Sequence, residues 1–148
     1  MIARNAAKAY ANIGIETGVE AASPARLVVM LYDGALGAIA NAERHMVGQR
    51  VAEKGQAVSH AISIIYSGLR ASLDLNSSPL AGQLEQLYEY MSRRLLLASV
   101  RNDVRGLQEV ARLLGDLRSA WSELADANAR LPAGSGNRTS APARAAAA

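Results

Sequence analysis

The chain has 148 residues, a formal net charge of +3 and no cysteine. That length can enclose one real core, and the missing thiols exclude disulfides and thiolate metal sites. The positive excess is mostly terminal: residues 1–22 carry two charges of each sign, residues 23–131 twelve positive and eleven negative, and residues 132–148 two positive and none negative.

A nearly balanced body argues against nucleic-acid binding, which needs clustered Lys and Arg to displace counterions. The densest basic group, Arg93, Arg94, Arg101 and Arg105, is broken by Asp103. Thirty alanines and no phenylalanine point to helices built around aliphatic side chains, because alanine loses no rotamer freedom on folding.

The first 22 residues read as an arm that could pack in extended form against the bundle. Tyr10, Ile13, Ile15 and Val19 are apolar, while Gly14 and Gly18 interrupt any helix. With no continuous apolar run, no signal peptide is expected, and no stretch approaches the roughly 18 apolar residues of a membrane span. A cytoplasmic address follows as the default expectation.

Ser23-Pro24 is a helix start, with serine able to cap free N–H groups and proline having none to waste. Leu27, Leu31, Ala35, Ala38, Ala42 and Met46 then recur every three or four residues, predicting a helix over 24–47 that Gly48 stops. A second helix is predicted over 51–73, with Val51, Val58, Ile62, Ile65 and Leu69 along one side. Asp74 to Pro79 repeats the serine-proline signal and opens a third over 79–100, striped by Leu80, Leu84, Leu87, Met91, Leu95 and Ala98.

Asn102-Asp103 ends that run and caps a fourth helix over 104–127, whose stripe is Leu107, Val110, Leu114, Leu117, Trp121 and Leu124. Arg112 and Asp116, one turn apart on its outer face, are placed to pair. Four helices with short connections predict an all-α antiparallel four-helix bundle over residues 23–131. Residues 132–148, rich in Gly, Ser and Ala, read as a disordered tail.

No catalytic, cofactor or metal pattern is visible. A di-iron carboxylate bundle needs Glu-x-x-His pairs, but Glu43 lies two residues before His45, and Ala57 stands three before His60. His60 falls on the outer face, as a phosphotransfer bundle would require. The Ala61-Ile62-Ser63-Ile64 that follows lacks the Lys and Gly that would steady a phosphoryl group. Asp33, Glu85 and Glu89 are scattered along helix surfaces, and Tyr32, Tyr88 and Tyr90 read as core-edge rings with wet hydroxyls.

What is left over is apolar surface. Val28, Val29 and Met30 adjoin Leu27 and Leu31, and Leu95, Leu96 and Leu97 run consecutively. Three consecutive residues sweep about 200° of a helix, so they cannot all face one seam.

The run Ser23-Pro24-Ala25-Arg26-Leu27-Val28-Val29-Met30-Leu31-Tyr32-Asp33-Gly34-Ala35 resembles the "SPxxLxxMLYDGA" segment of the FliS family of flagellin export chaperones. Leu84-Glu85-Gln86-Leu87-Tyr88-Glu89-Tyr90-Met91 is similar to its "LxxLYDYM" segment, with Glu89 for the usual Asp. Arg93 to Leu96, Asn102-Asp103 and Leu117 to Trp121 follow in order, and Tyr10 to Ile13 resembles the family's N-terminal tyrosine segment.

The resemblance covers about residues 8 to 125. It departs at Ser99, where the family usually has Asn, and at the Ser77-Ser78-Pro79 loop, which is a little short and lacks the family's glycines. It implies a cytoplasmic bundle that binds the C-terminal segment of flagellin, prevents early polymerisation and presents the cargo to the export gate protein FlhA. On that analogy Ile65, Leu69, Tyr88, Met91, Leu95 and Leu114 are expected in the cargo groove, and Tyr10 and Ile13 in arm and gate contacts. A homodimer is compatible with the sequence. The alternative function is a phosphotransfer or regulatory bundle acting through His60.

Overall fold

The computed structural model describes residues 22–130; the arm, with Tyr10 and Ile13, and the tail lie outside the described residues. Helix α1 spans Pro24–Val47 and is capped by Ser23, whose Oγ accepts the Arg26 N–H at 3.1 Å. Helix α2 begins at Val51–Ser63, continues as a π-helical turn over Ile64–Leu69 and closes as a 3-10 turn over Arg70–Ser72. Helix α3 spans Pro79–Arg101 and α4 Val104–Ala129. Helix α1 packs on α2 and α4, and α3 packs on the same two, so α1 and α3 sit diagonally across an antiparallel bundle.

The local signals act with two differences. Pro79 opens α3, yet the Ser78 side chain makes no cap bond. Gly48 does terminate α1, but with φ of −79°; the left-handed residue is its neighbour Gln49, at φ 60°. Asn102, at φ 51°, turns the chain after α3, and the Asp103 carboxylate accepts the Arg105 N–H at 3.1 Å to start α4. No Arg112–Asp116 ion pair forms among the described residues; Arg112 instead adds its attraction to Glu109.

Helix α1 is buried on nearly every side. Val28 and Val29 are as enclosed as Leu27 and Leu31, so here a wide core absorbs the apolar surplus. By length and composition α1 would also qualify as a membrane span, contrary to the sequence reading, but most of its apolar residues are covered by the other helices.

The π turn explains why the α2 stripe shifts phase. An extra residue per turn brings Ile64, Ile65, Gly68 and Leu69 inward together, and Ile62 is only partly covered. A Cβ on Gly68 would lie 2.9 Å from Leu31 Cδ2, so glycine there permits the close approach of α2 to α1.

Several stripe positions at helix ends face water instead. Val51 is 70% exposed, Leu80 59% and Leu124 47%. Val51 occupies the first turn of its helix, beyond the reach of the neighbouring seam. Leu80 and Leu124 face each other where α3 and α4 part.

Candidate functional site

Helices α3 and α4 are pinched at one end and open at the other. Beside their connecting turn, a Cβ on Gly106 would lie 2.7 Å from the Ala98 Cβ, closer than two carbons can approach. The other end of the pair, formed by the start of α3 and the last turns of α4, is open. There Leu80, Leu84, Leu117, Ala120, Trp121 and Leu124 line an open groove of about 300 Å³. A smaller recess of about 100 Å³ adjoins it, sharing Leu80, Leu84 and Trp121 and reaching down to Val28 and Tyr88. The recess is rimmed by Ser72, Asp74, Ser77 and Ser78, giving the trough a polar end.

The floor is held by a polar pair. The Tyr32 hydroxyl lies 2.6 Å from the Tyr88 hydroxyl at the bundle centre, with the Trp121 indole near enough to lower the Tyr32 pKa. Burial pushes the Tyr32 phenol up to about 12, an effect that the bond to Tyr88 and the nearby Trp121 reduce. Tyr88 is raised further, by burial first and then by the neighbouring Tyr32. The wet hydroxyls expected for Tyr32 and Tyr88 are therefore absent; both rings are enclosed and satisfy each other. Tyr90 does stay half-exposed, donating to Glu109.

The segment Leu31 to Ala35 is accounted for residue by residue. Leu31 and Ala35 fill the core, Tyr32 reaches Tyr88, and Asp33 accepts from Arg118 Nε at 2.5 Å, tying α1 to α4. A Cβ on Gly34 would lie 3.3 Å from Ile64 Cδ1, so close helix packing favours glycine there. On the other flank Glu109 accepts from Tyr90 and from Arg94 Nε at 2.8 Å, which lowers its pKa.

The residues expected to touch a partner separate into two groups. Ile65, Leu69, Met91, Leu95 and Leu114 have no exposed area, and Tyr88 has 2%. As folded, these six build the core and offer no outward surface; Tyr88 alone backs the recess. Tyr10 and Ile13 lie outside the described residues. The groove falls instead to positions that periodicity assigns to the core stripes, Leu80, Leu84, Leu117, Trp121 and Leu124. Their signal is positional: they stand at the outer ends of two facing stripes.

His60 is exposed on the outer face of α2. Among the described residues no group of three or more His, Asp or Glu is placed to hold a metal ion. What this geometry can do is bind an apolar helix face.

The family model described as "Flagellar protein FliS" matches residues 6–128. The Flagellar secretion chaperone FliS of Escherichia coli (strain K12) is 45% identical over 124 residues, covering 83% of this chain and 91% of that protein. Its namesake in Salmonella typhimurium (strain LT2) is 43% identical over 118 residues, 79% of this chain and 87% of the relative. Flagellar secretion chaperone FliSB of Pseudomonas aeruginosa is 42% identical over 122 residues, 82% and 96% respectively.

Proposed function

The chain belongs to the FliS family of flagellar proteins, and from that membership we propose that it is a cytoplasmic export chaperone for flagellin. In this reading it binds the C-terminal segment of flagellin, blocks premature polymerisation and delivers the cargo to the export gate protein FlhA. No catalytic step is required of it; the relatives are named as chaperones.

The observation that carries this reading is the apolar groove between α3 and α4. An amphipathic cargo helix laid there would gain about 1.5–3 kcal/mol for each large side chain fully buried. Ordering a disordered segment returns about 2–5 kcal/mol or more, so the contact must be long to hold. The Trp121 ring, packed against the core, gives the cargo a preformed floor, which lowers the ordering cost on the chaperone side.

The arm has a part in the same site. Helix α1 begins at the groove end of the bundle, where Arg26 pairs with Asp126 at 3.1 Å. An arm of residues 1–22 starts from that point, and Tyr10 and Ile13 would compete for the groove at an effective concentration of about a millimolar. Cargo making more contacts displaces it, freeing the arm for FlhA.

The test is co-purification with flagellin that retains or lacks its last roughly 40 residues, a segment about 60 Å long as helix. Capture that depends on those residues supports the proposal. Undiminished capture without them, or phosphoryl incorporation that His60→Ala abolishes, would replace it.

A further inference from the structure

The end of the bundle opposite the groove carries a different surface. It is formed by the α1–α2 turn and the α3–α4 turn, which Lys54 holds together. Lys54 Nζ donates to the Ser99 carbonyl and to Asn102 Oδ1, both at 2.8 Å, and the residue is 7% exposed. Around this clamp stand Val47, Val51 and Val100, 71, 70 and 73% exposed, more than any other large apolar residue described.

The charges at this end are unbalanced. Arg44, Arg50, Arg101 and Arg105 are exposed, and none is in an ion pair among the described residues. Arg44 bonds Asn41, and Arg50 uses Nε alone to bond His45. Of the nearby acids, Glu43 accepts from Gln108 and Asp103 is held by Arg94, which leaves Glu53 as the exposed carboxylate. Beside the first turn an open recess of about 600 Å³ is lined by Ala40, Glu43, Arg44, Val47, Gly48 and Arg50.

We propose that this turn end is a second docking surface, for an acidic amphipathic helix of a protein partner. Its carboxylates would meet the free guanidinium groups, and its apolar face the three valines. Free arginines fit this occupant because a guanidinium takes a carboxylate through two parallel N–H bonds. The surface lies at the other end of the molecule from the groove, so cargo and this partner can be held together. The proposal stands whether or not flagellin is the cargo.

The full chain would be titrated with two synthetic amphipathic peptides of about 18 residues, five helical turns. Both have leucine on one face; one has glutamate on its flanks and the other lysine. The glutamate peptide should bind and weaken steeply with salt. The charge-reversed pair Arg50→Glu and Arg101→Glu should lose about tenfold or more in affinity. Val47→Ser, Val51→Ser and Val100→Ser together should lose several-fold while keeping the salt dependence, which separates docking from mere charge attraction.

The titrations are run on the Leu124→Asp chain, so that the groove does not take up the leucine face, and the glutamate peptide should still bind there. All substituted positions are exposed, and unchanged melting temperatures would verify the fold. Equal binding of the lysine peptide, or binding lost in Leu124→Asp, would overturn the proposal. So would preference for phosphatidylserine vesicles over the glutamate peptide, or self-association that the arginine changes abolish, which would give the surface to a membrane or to a second copy.

Discussion

The hydroxyls of Tyr32 on α1 and Tyr88 on α3 meet 2.6 Å apart, joining two helices that sit diagonally across the bundle. Each is the other's partner in a region without water-exposed area, so each makes the other's burial tolerable. Removing one hydroxyl strands its mate. Tyr32→Phe or Tyr88→Phe should each cost about 1–3 kcal/mol, whereas the double change should cost less than the two summed. Urea unfolding of the four chains in a double-mutant cycle measures this; additive losses would refute the pairing.

The same pair makes the bundle sensitive to alkali. Burial raises both phenols above their usual value of 10, Tyr32 to about 12. In the unfolded chain they ionise near 10, so the unfolded state sheds protons first. The stabilisation is fully present below pH 10 and is lost as pH rises from 10 toward 12 and beyond, by up to about 1.4 kcal/mol per phenol for each pH unit climbed in that window. Thermal melts between pH 8 and 11.5 should therefore fall above pH 10, and fall less in the double Phe chain.

Two glycines in helices should respond in opposite directions. Gly37 is exposed with no atom near its missing Cβ, so Gly37→Ala should gain about 0.5–1 kcal/mol from helix propensity. A Cβ on Gly106 would lie 2.7 Å from the Ala98 methyl, and Gly106→Ala should cost about 1–3 kcal/mol as α3 and α4 are forced apart. Chemical denaturation of both variants checks the contrast.

Gln49 holds a left-handed backbone that a side chain resists. Gln49→Gly should stabilise the protein by up to about 1 kcal/mol, since glycine adopts that conformation freely. A loss of stability would mean that the Gln49 side chain contributes more than the strain costs.

Core and groove residues should separate stability from binding. Met91→Ala or Leu114→Ala should cost about 2–5 kcal/mol through the cavity left behind. Leu80→Asp or Leu124→Asp should change stability little and weaken cargo capture about tenfold or more. Melting temperatures and pull-downs on the same four variants decide which set touches cargo.

Much of the bundle is legible in the sequence because its signals are local. Ser23-Pro24 and Asp103 cap the helices they precede, and the stripe from Leu107 to Leu114 turns inward as its spacing requires. The groove is less legible because it depends on where two helices diverge. Leu84 and Leu117 have the same periodicity as Leu95 and Leu114, yet the first pair lines a groove and the second fills the core.

Period reports which way a residue points and not whether a neighbour is still there to cover it. The π turn at Ile64–Leu69 is hidden for a related reason. It sets Gly68 against Leu31, a contact between residues far apart in the chain. The Tyr32–Tyr88 bond escapes a sequence reading because composition reflects a phenol's preference for water and cannot foresee a second phenol in the same spot.

The Arg26–Asp126 ion pair has a practical consequence for anyone handling the molecule. It sets the start of α1 beside the end of α4 next to the groove, so a purification handle or reporter fused directly at either helix end would trespass on the cargo's ground. The α1–α2 turn at Gln49, at the opposite pole, is the safer anchorage for immobilising the protein in a cargo assay. For the second docking surface the advice reverses, because that turn is part of it.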